Sequence, residues 1–302
     1  MQGISRRGFF QTAGIAAALP ALKGTGRAVQ ATREADIRVE RDIVFGKGGD
    51  MDLRLDIYHP AAGSGKRMAN IHVHGGGFRG GSKEDAARTA PDLARLGYIG
   101  IGIQYRLAGE ANWPGQLHDV KAAIRWTRAN ADRLDIDPDR ISVAGYSAGG
   151  LMALFAAATG DRPEFEGDGG NAGVGTGIAA AVGFYPATTG GPMSPDADAA
   201  ARAAANLDNH ISGTFAPTLL LHGVADTTIR IESSQELFQK LRDVDVPVEL
   251  HAFEGAPHVF VSYPEFALAT AQLSDLFYDR HVINPRTYPP FSPGGGGGAG
   301  GA

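Results

Sequence analysis

A serine flanked by glycines lies near the middle of the 302-residue chain. Residues 145–149, GYSAG, match the G-x-S-x-G pattern of a nucleophile elbow, in which a serine occupies a sharp turn between a strand and a helix. The apolar run 141–144 predicts the strand, and the apolar run 148–159 predicts the helix. We therefore expect Ser147 to be a nucleophile; the alternative is a glycine-rich turn that only packs a helix against a sheet.

The second expectation concerns a base and an acid. A serine hydroxyl attacks well only when a base takes its proton and an acid orients that base. Downstream of an elbow of this kind the chain order is serine, acid, histidine. His258 follows the last predicted strand and is the predicted base. Asp226, just beyond the penultimate strand, is the predicted acid, although it could instead cap the next helix; Asp208 and Glu254 are the reserve acids.

Three glycines follow an early predicted strand, in the HGGGF run at 74–78. This run resembles the HGGG oxyanion motif of esterases and lipases, in which backbone N–H groups stabilise the negative oxygen of a tetrahedral intermediate. The resemblance assigns the donors to Gly76, Gly77 and Ala148. A flexible loop is the alternative. The remaining motif glycines, where the backbone must approach its neighbours closely, are Gly75, Gly145 and Gly149.

Bringing these residues together requires a mostly parallel sheet. Apolar and alternating runs predict strands at 37–45, 52–58, 70–74, 98–104, 141–145, 178–184, 218–222 and 248–253, and helices at 116–133, 148–159, 232–242 and 264–278. The first two strands should be antiparallel. Eight strands with interleaved helices predict one α/β domain with helices on both faces. Two irregular stretches, 160–177 and 187–213, are expected at the carboxyl edge of the sheet as walls of a substrate site.

Composition excludes several classes of function. Hydrophobic residues make up 43% of the chain, enough for one catalytic domain, which we place at 32–285. The net charge of -5 indicates no basic surface for nucleic acid. The chain has no cysteine, which excludes disulfides and a thiolate nucleophile. His, Asp and Glu show no metal-ligand spacing, so we expect neither a metal nor a cofactor. The glycines at 173–177 lack the strand and helix of a phosphate-binding loop.

The sequence predicts that both ends of the chain lie outside the catalytic domain. Arg6 and Arg7 precede a short apolar run at 12–22, a pattern that resembles a twin-arginine export signal and is too short to span a bilayer. We expect cleavage near Ala31, and a periplasmic or secreted protein without stable membrane insertion; an ordinary basic N-terminus is the alternative. The tail at 286–302 is rich in proline and glycine and is expected to be disordered. The sequence indicates no oligomeric state.

Three further features are suggestive. Asp119 could brace the elbow from behind, but a surface or helix-dipole carboxylate is an equally good interpretation. The pairs Tyr105-Arg106 and Trp113-Pro114 could line a substrate pocket or only pack the loop after their strand.

From about Asp52 to Tyr278 the chain resembles the α/β-hydrolase carboxylesterases related to acetyl xylan and feruloyl esterases, the BD-FAE-like group. The motifs that carry the resemblance are HGGGF, YRL, GYSAGG, LHGVAD and the late histidine. The resemblance implies an α/β-hydrolase fold without a large cap and hydrolysis of short-chain or carbohydrate-linked esters by Ser147, Asp226 and His258. An open site would favour bulky or polymeric alcohols. The alternatives are an arylformamidase-like amidohydrolase, an exopeptidase, and a binding protein that has lost catalysis.

Overall fold

The computed structural model of the protein describes residues 37–191 and 193–289. The predicted export signal at 1–31 lies outside the described residues, and so do residues 290–302 of the predicted tail. Among the described helices, none has the length and apolarity needed to cross a bilayer.

The architecture is an eight-stranded sheet with the order β1-β2-β4-β3-β5-β6-β7-β8. The strands are β1 (Arg38–Gly48), β2 (Met51–His59), β3 (Ala69–Val73), β4 (Ile99–Ile103), β5 (Ile141–Tyr146), β6 (Ala180–Phe184), β7 (Thr218–Gly223) and β8 (Val248–Phe253). β1 and β2 pair antiparallel, β2 pairs antiparallel with β4, and all later pairs are parallel. The predicted eight-stranded, mostly parallel sheet with an antiparallel start is confirmed.

Seven α-helices surround the sheet in the described residues. They are α1 (Ala90–Arg95), α2 (Gly115–Ala129), α3 (Ala131–Leu134), α4 (Ala148–Ala158), α5 (Ala199–Ala204), α6 (Glu232–Arg242) and α7 (Pro264–Tyr278), with short 3-10 turns between some of them. The helix predicted at 116–133 is interrupted at Asn130, so α2 and α3 are separate.

Apolar side chains on both faces of the sheet explain why the central strands show no polar alternation. On one face, strand residues such as Ile71 pack with apolar residues of α2, α4 and α6. On the other face, strand residues such as Val182 pack with Leu93 of α1 and Phe277 of α7. The sheet is therefore covered by helices on both sides, as predicted.

The connection from β6 to β7 provides only a small covering element at the carboxyl edge. It contains the six-residue α5 and a 3-10 turn at Leu207–His210. In the part of the chain that the structure describes, no larger helical cap is inserted over the sheet.

The prediction that residues 160–177 form a wall at the carboxyl edge was wrong. This stretch follows α4, which runs back from the end of β5, and it leads into the start of β6. It therefore lies at the amino edge of the sheet. Asp161 organises it, since its Oδ1 accepts the N–H groups of Thr176 at 2.6 Å and Gly177 at 3.2 Å.

Asp119 is not a surface carboxylate. Its side chain is 2% exposed and pairs with Arg106, whose Nη2 lies 2.7 Å from Oδ1. The backbone N–H of Arg106 also donates to Asp119 Oδ2 at 2.9 Å. This bidentate ion pair fixes the segment after β4 against α2, so Arg106 packs the loop.

A fully buried histidine lies on β3, the strand that pairs with β5. His72 of β3 faces the hydroxyl of Tyr146, with Nδ1 and Oη 2.9 Å apart. Burial lowers the pKa of His72 from 6.5 to about 3. His72 is therefore protonated below about pH 6.5 in the unfolded chain but only below about pH 3 in the folded protein.

We expect this histidine to make the protein less stable as the pH falls. Between pH 6.5 and 3, His72 should reduce the free energy of unfolding by up to about 1.4 kcal/mol per pH unit, because only the unfolded state is protonated. Urea unfolding of the wild type and His72→Gln over this range measures the effect. The variant should show a shallower pH dependence; parallel curves for the two proteins would contradict the assignment.

Candidate active site

Ser147 occupies a strained turn between β5 and α4. Its backbone angles are φ 55° and ψ -115°, a combination that residues with a side chain rarely adopt. The neighbouring connection after β6 holds this turn in place. The Ser147 N–H donates to the carbonyl of Phe184 at 3.0 Å, and the Ala187 N–H donates to the carbonyl of Ser147 at 3.0 Å. The hydroxyl is thereby presented at the carboxyl edge of the sheet.

The glycines around Ser147 are required by close packing. A Cβ atom on Gly145 would lie 2.0 Å from the carbonyl oxygen of Gly149, and one on Gly149 would lie 2.2 Å from the carbonyl oxygen of Val73. A Cβ atom on Gly150 would lie 2.7 Å from the Cβ of Pro186. Any side chain at these positions would displace backbone, so the G-x-S-x-G-G pattern follows from the way α4 packs on β3 and β6.

The structure brings Ser147, His258 and Asp226 together. His258 Nε2 lies 3.1 Å from Ser147 Oγ, and His258 Nδ1 lies 2.6 Å from Asp226 Oδ2. A carboxylate only accepts, so Nδ1 carries the proton and Nε2 is free to accept the serine hydroxyl. These residues are separated by up to 111 positions in the chain, and the ends of β5, β7 and β8 place them side by side.

Asp226 makes the contacts expected from both interpretations that the sequence left open. Its Oδ1 accepts the N–H groups of Thr228 at 2.8 Å and Ile229 at 2.9 Å, as a turn-capping aspartate does. Its Oδ2 faces His258. The side chain is fully buried, so each oxygen depends on these donors.

The reserve acids lie elsewhere. Asp208 pairs with Lys240, with 2.8 Å between the carboxylate and the ammonium group. Glu254 is exposed on the turn after β8.

The glycine loop after β3 lies against the elbow. A Cβ atom on Gly75 would lie 3.3 Å from the Cβ of Ser147, and Gly76 and Gly77 have positive φ angles of 102° and 61°. Within the described residues, the N–H groups of Gly76, Gly77 and Ala148 donate to no protein acceptor. These three backbone donors are therefore not used within the protein, which is a condition that an oxyanion site must meet.

A buried histidine anchors this loop, a feature that sequence reasoning missed. His74 Nδ1 donates to the carbonyl of Gly75 at 2.9 Å, and Gln104 Nε2 lies 3.3 Å from His74 Nε2. The imidazole stacks on Tyr105 with ring centres 4.2 Å apart, and the Tyr105 hydroxyl donates to the His74 carbonyl at 3.2 Å. Burial lowers the pKa of His74 and keeps the ring neutral. Tyr105 is fully buried, so it packs the loop.

Two further aromatic residues lie near the site. Tyr185, the first residue after β6, has a φ of 37° and touches the His258 ring edge-on, with centres 4.7 Å apart. No motif in the sequence pointed to it. Trp113 is 8% exposed and packs on Phe155 of α4 with ring centres 4.5 Å apart, so most of its surface belongs to the core.

The sheet order, the elbow after β5, the acid after β7 and the histidine after β8 define an α/β-hydrolase. Among the described residues, no group of three or more His, Asp and Glu side chains could hold a metal ion.

Comparison with known proteins gives the family. The BD-FAE family model matches residues 55–207, just over half of the chain, so the protein belongs to the BD-FAE family. Probable carboxylic ester hydrolase LipM of Mycobacterium tuberculosis is 28% identical over 82% of this chain, and esterase LipC of the same organism is 30% identical over 63%. The chain spans 63% of the length of LipM and 52% of the length of LipC.

The fold also has a close counterpart among solved structures. The thermophilic esterase Est2 of Thermogutta terrifontis superposes with a TM-score of 0.70 and 26% identity, over 83% of this chain and 95% of Est2. LipM, LipC and Est2 are thus each named as esterases or carboxylic ester hydrolases.

The packing around the elbow predicts the effect of one added methyl group. Gly149→Ala should lower the free energy of unfolding by at least about 2 kcal/mol, because its Cβ would lie 2.2 Å from the Val73 carbonyl oxygen. Gly65→Ala is the matched control, since a Cβ there meets nothing within 4 Å. Denaturant unfolding of both variants makes the comparison, and equal stabilities would show that the elbow tolerates a side chain.

Proposed function

We propose that the protein is a serine carboxylic-ester hydrolase that works through Ser147, His258 and Asp226. The observation that carries this proposal is the continuous hydrogen-bonded line from Asp226 to His258 at 2.6 Å and from His258 to Ser147 at 3.1 Å. A serine in this arrangement is activated by the imidazole, which the carboxylate holds in one tautomer.

In the first half of the reaction, Ser147 Oγ attacks the ester carbonyl carbon while its proton passes to His258 Nε2. The carbonyl oxygen becomes negative and is stabilised by the N–H groups of Gly76, Gly77 and Ala148. Collapse of this tetrahedral intermediate breaks the bond to the alcohol oxygen. His258 gives its proton to that oxygen, and the acyl group remains on Ser147.

In the second half, a water molecule attacks the acyl-enzyme. His258 Nε2 takes a proton from the water, and the oxyanion donors again stabilise the negative oxygen. The bond to Ser147 Oγ breaks, the proton returns to Oγ, and the carboxylic acid leaves. Asp226 stays ionised throughout and stabilises the imidazolium form of His258.

We further propose short acyl chains and carbohydrate-linked alcohols, including acetyl and feruloyl esters, as the substrate class. Est2 structures with propionate and with butyrate bound are similar to this chain, with TM-scores of 0.69, which supports a short acyl group. The covering element around α5 is small, with a helix of only six residues, and this supports a bulky alcohol. The twin-arginine-like segment at 1–31 supports a periplasmic or extracellular site of action, where polysaccharide esters would be met.

Replacement of the nucleophile tests the chemistry. Ser147→Ala removes the nucleophile and should lower kcat for p-nitrophenyl acetate by about 10⁴-fold or more. The activity that remains should be only that of a folded protein without a nucleophile. Paraoxon, which phosphorylates Est2, should release one p-nitrophenolate per wild-type chain and none from the variant. Residual turnover near the wild-type level in a folded Ser147→Ala protein would refute the proposed nucleophile.

A substrate series tests the specificity. We expect kcat/KM to fall from p-nitrophenyl acetate and butyrate to the decanoate, and we expect acetylated xylan or methyl ferulate to be hydrolysed. An enzyme that turns over long-chain triglycerides well and releases nothing from acetylated sugars or ferulate would overturn the carbohydrate-ester assignment while leaving the serine chemistry intact.

A further inference from the structure

A second buried histidine lies behind the acid. His222, at the end of β7, is fully buried and precedes Asp226 by four residues. Its Nε2 lies 2.8 Å from the carbonyl oxygen of Ile229 and 3.4 Å from Asp226 Oδ2. Its Nδ1 lies 2.8 Å from the hydroxyl of Ser234 on α6.

These contacts fix the protonation of His222. A backbone carbonyl can only accept a hydrogen bond, so Nε2 carries the proton and donates to Ile229. Nδ1 is then unprotonated and accepts the hydroxyl proton of Ser234. Burial lowers the pKa of His222, which favours the neutral ring. The imidazole is therefore held in one tautomer, with its single N–H directed at the turn that carries Asp226.

The turn from Asp226 to Ile229 is closed from both sides. Asp226 Oδ1 accepts the N–H groups of Thr228 and Ile229, at 2.8 and 2.9 Å. The carbonyl of the same Ile229 accepts the N–H of His222. His222 therefore fixes Ile229, and Ile229 in turn donates to one oxygen of Asp226. Its N–H also points near the other oxygen, Oδ2, which is the oxygen that His258 binds.

We propose that His222 is a positioning residue for the triad: its Nε2–H fixes the 226–229 turn, and thereby the orientation of Asp226 toward His258. The proposal rests on the proposed serine-hydrolase function. His222 touches neither Ser147 nor the substrate, and its effect reaches the chemistry only through Asp226. Without this N–H, the Ile229 carbonyl loses its partner, the turn can rotate, and Oδ2 no longer stays in line with His258 Nδ1.

The test compares two replacements of His222 that differ in the donor. His222→Gln can keep an N–H near the position of Nε2, whereas His222→Phe keeps a ring and removes the donor. We expect His222→Phe to lower kcat for p-nitrophenyl acetate by about 10- to 100-fold, because small displacements of catalytic groups have effects of this size. KM should change by no more than about twofold, since substrate binding is untouched. His222→Gln should recover most of kcat.

A spectroscopic measurement separates positioning from a general loss of structure. The proton between His258 Nδ1 and Asp226 lies in a short, charge-assisted hydrogen bond and should give a far-downfield proton resonance. This resonance should be present in the wild type and His222→Gln, and lost or broadened in folded His222→Phe. His59→Phe is the matched control, because His59 is buried at the far end of β2 against Glu40; it should alter neither kcat nor the resonance.

The outcomes are distinct. A folded His222→Phe protein with wild-type kcat and an intact downfield resonance overturns the proposal. If His222→Phe does not fold, His222→Met, which also lacks the donor but adapts better to irregular space, decides by the same two readouts. If the wild type hydrolyses no ester, the proposed function fails, but the resonance still shows whether His222 positions Asp226.

Discussion

The strained backbone of Ser147 is the constraint on which the rest of the structure depends. A residue at φ 55° and ψ -115° persists only where its surroundings hold it. Hydrogen bonds to Phe184 and Ala187 hold Ser147 on one side, and the close approach of α4 to β3 holds it on the other. The approach of α4 to β3 leaves no space for a Cβ on Gly149, and the contact between β5 and α4 leaves none on Gly145. The glycines, the sheet order and the half-buried serine hydroxyl therefore all depend on the same packing.

The parallel sheet brings the acid and the histidine to the serine, which the turn at Ser147 alone cannot do. Chain segments that lie far apart in sequence end at the same edge, so the acid after β7 and the histidine after β8 arrive beside the serine after β5. The acid is fully buried and its oxygens are divided between two tasks, one in the local turn and one toward His258. Because one oxygen is bound by the 226–229 turn, the conformation of this turn sets the direction in which the carboxylate faces His258.

Sequence reasoning succeeded where chain order and local pattern determine position. The elbow, the late histidine and the acid were placed by the strands that precede them. It failed where a feature depends on a partner across the fold. The stacking of His74 on Tyr105 and the contact of Tyr185 with His258 join residues with no common motif. For Asp119, the sequence left open whether it braces the elbow or is a surface or helix-dipole carboxylate, because its partner, Arg106, lies outside its helix.

The misplacement of residues 160–177 has a different physical origin. Their glycine content is typical of a functional loop, but a helix of three turns separates them from β5 and reverses the chain direction. Composition therefore predicted an irregular loop at 160–177 correctly. The edge of the sheet at which this loop lies depends on the direction of α4, which composition does not give.

Two buried, neutral histidines support the site from opposite sides. His74 donates to the glycine loop, and His222 donates to the turn of Asp226; in both, burial lowers the pKa. A neutral imidazole has one donor and one acceptor, so a partner on each nitrogen fixes both its tautomer and its orientation. At His74, a charged ring would carry two donors but would face an acceptor at Nδ1 only, because the Gln104 amide group faces Nε2 with an N–H. Each of these rings is therefore held by a partner on both nitrogens, His74 in the glycine loop and His222 beside the 226–229 turn. In the proposed mechanism, His258 is the ring that exchanges protons.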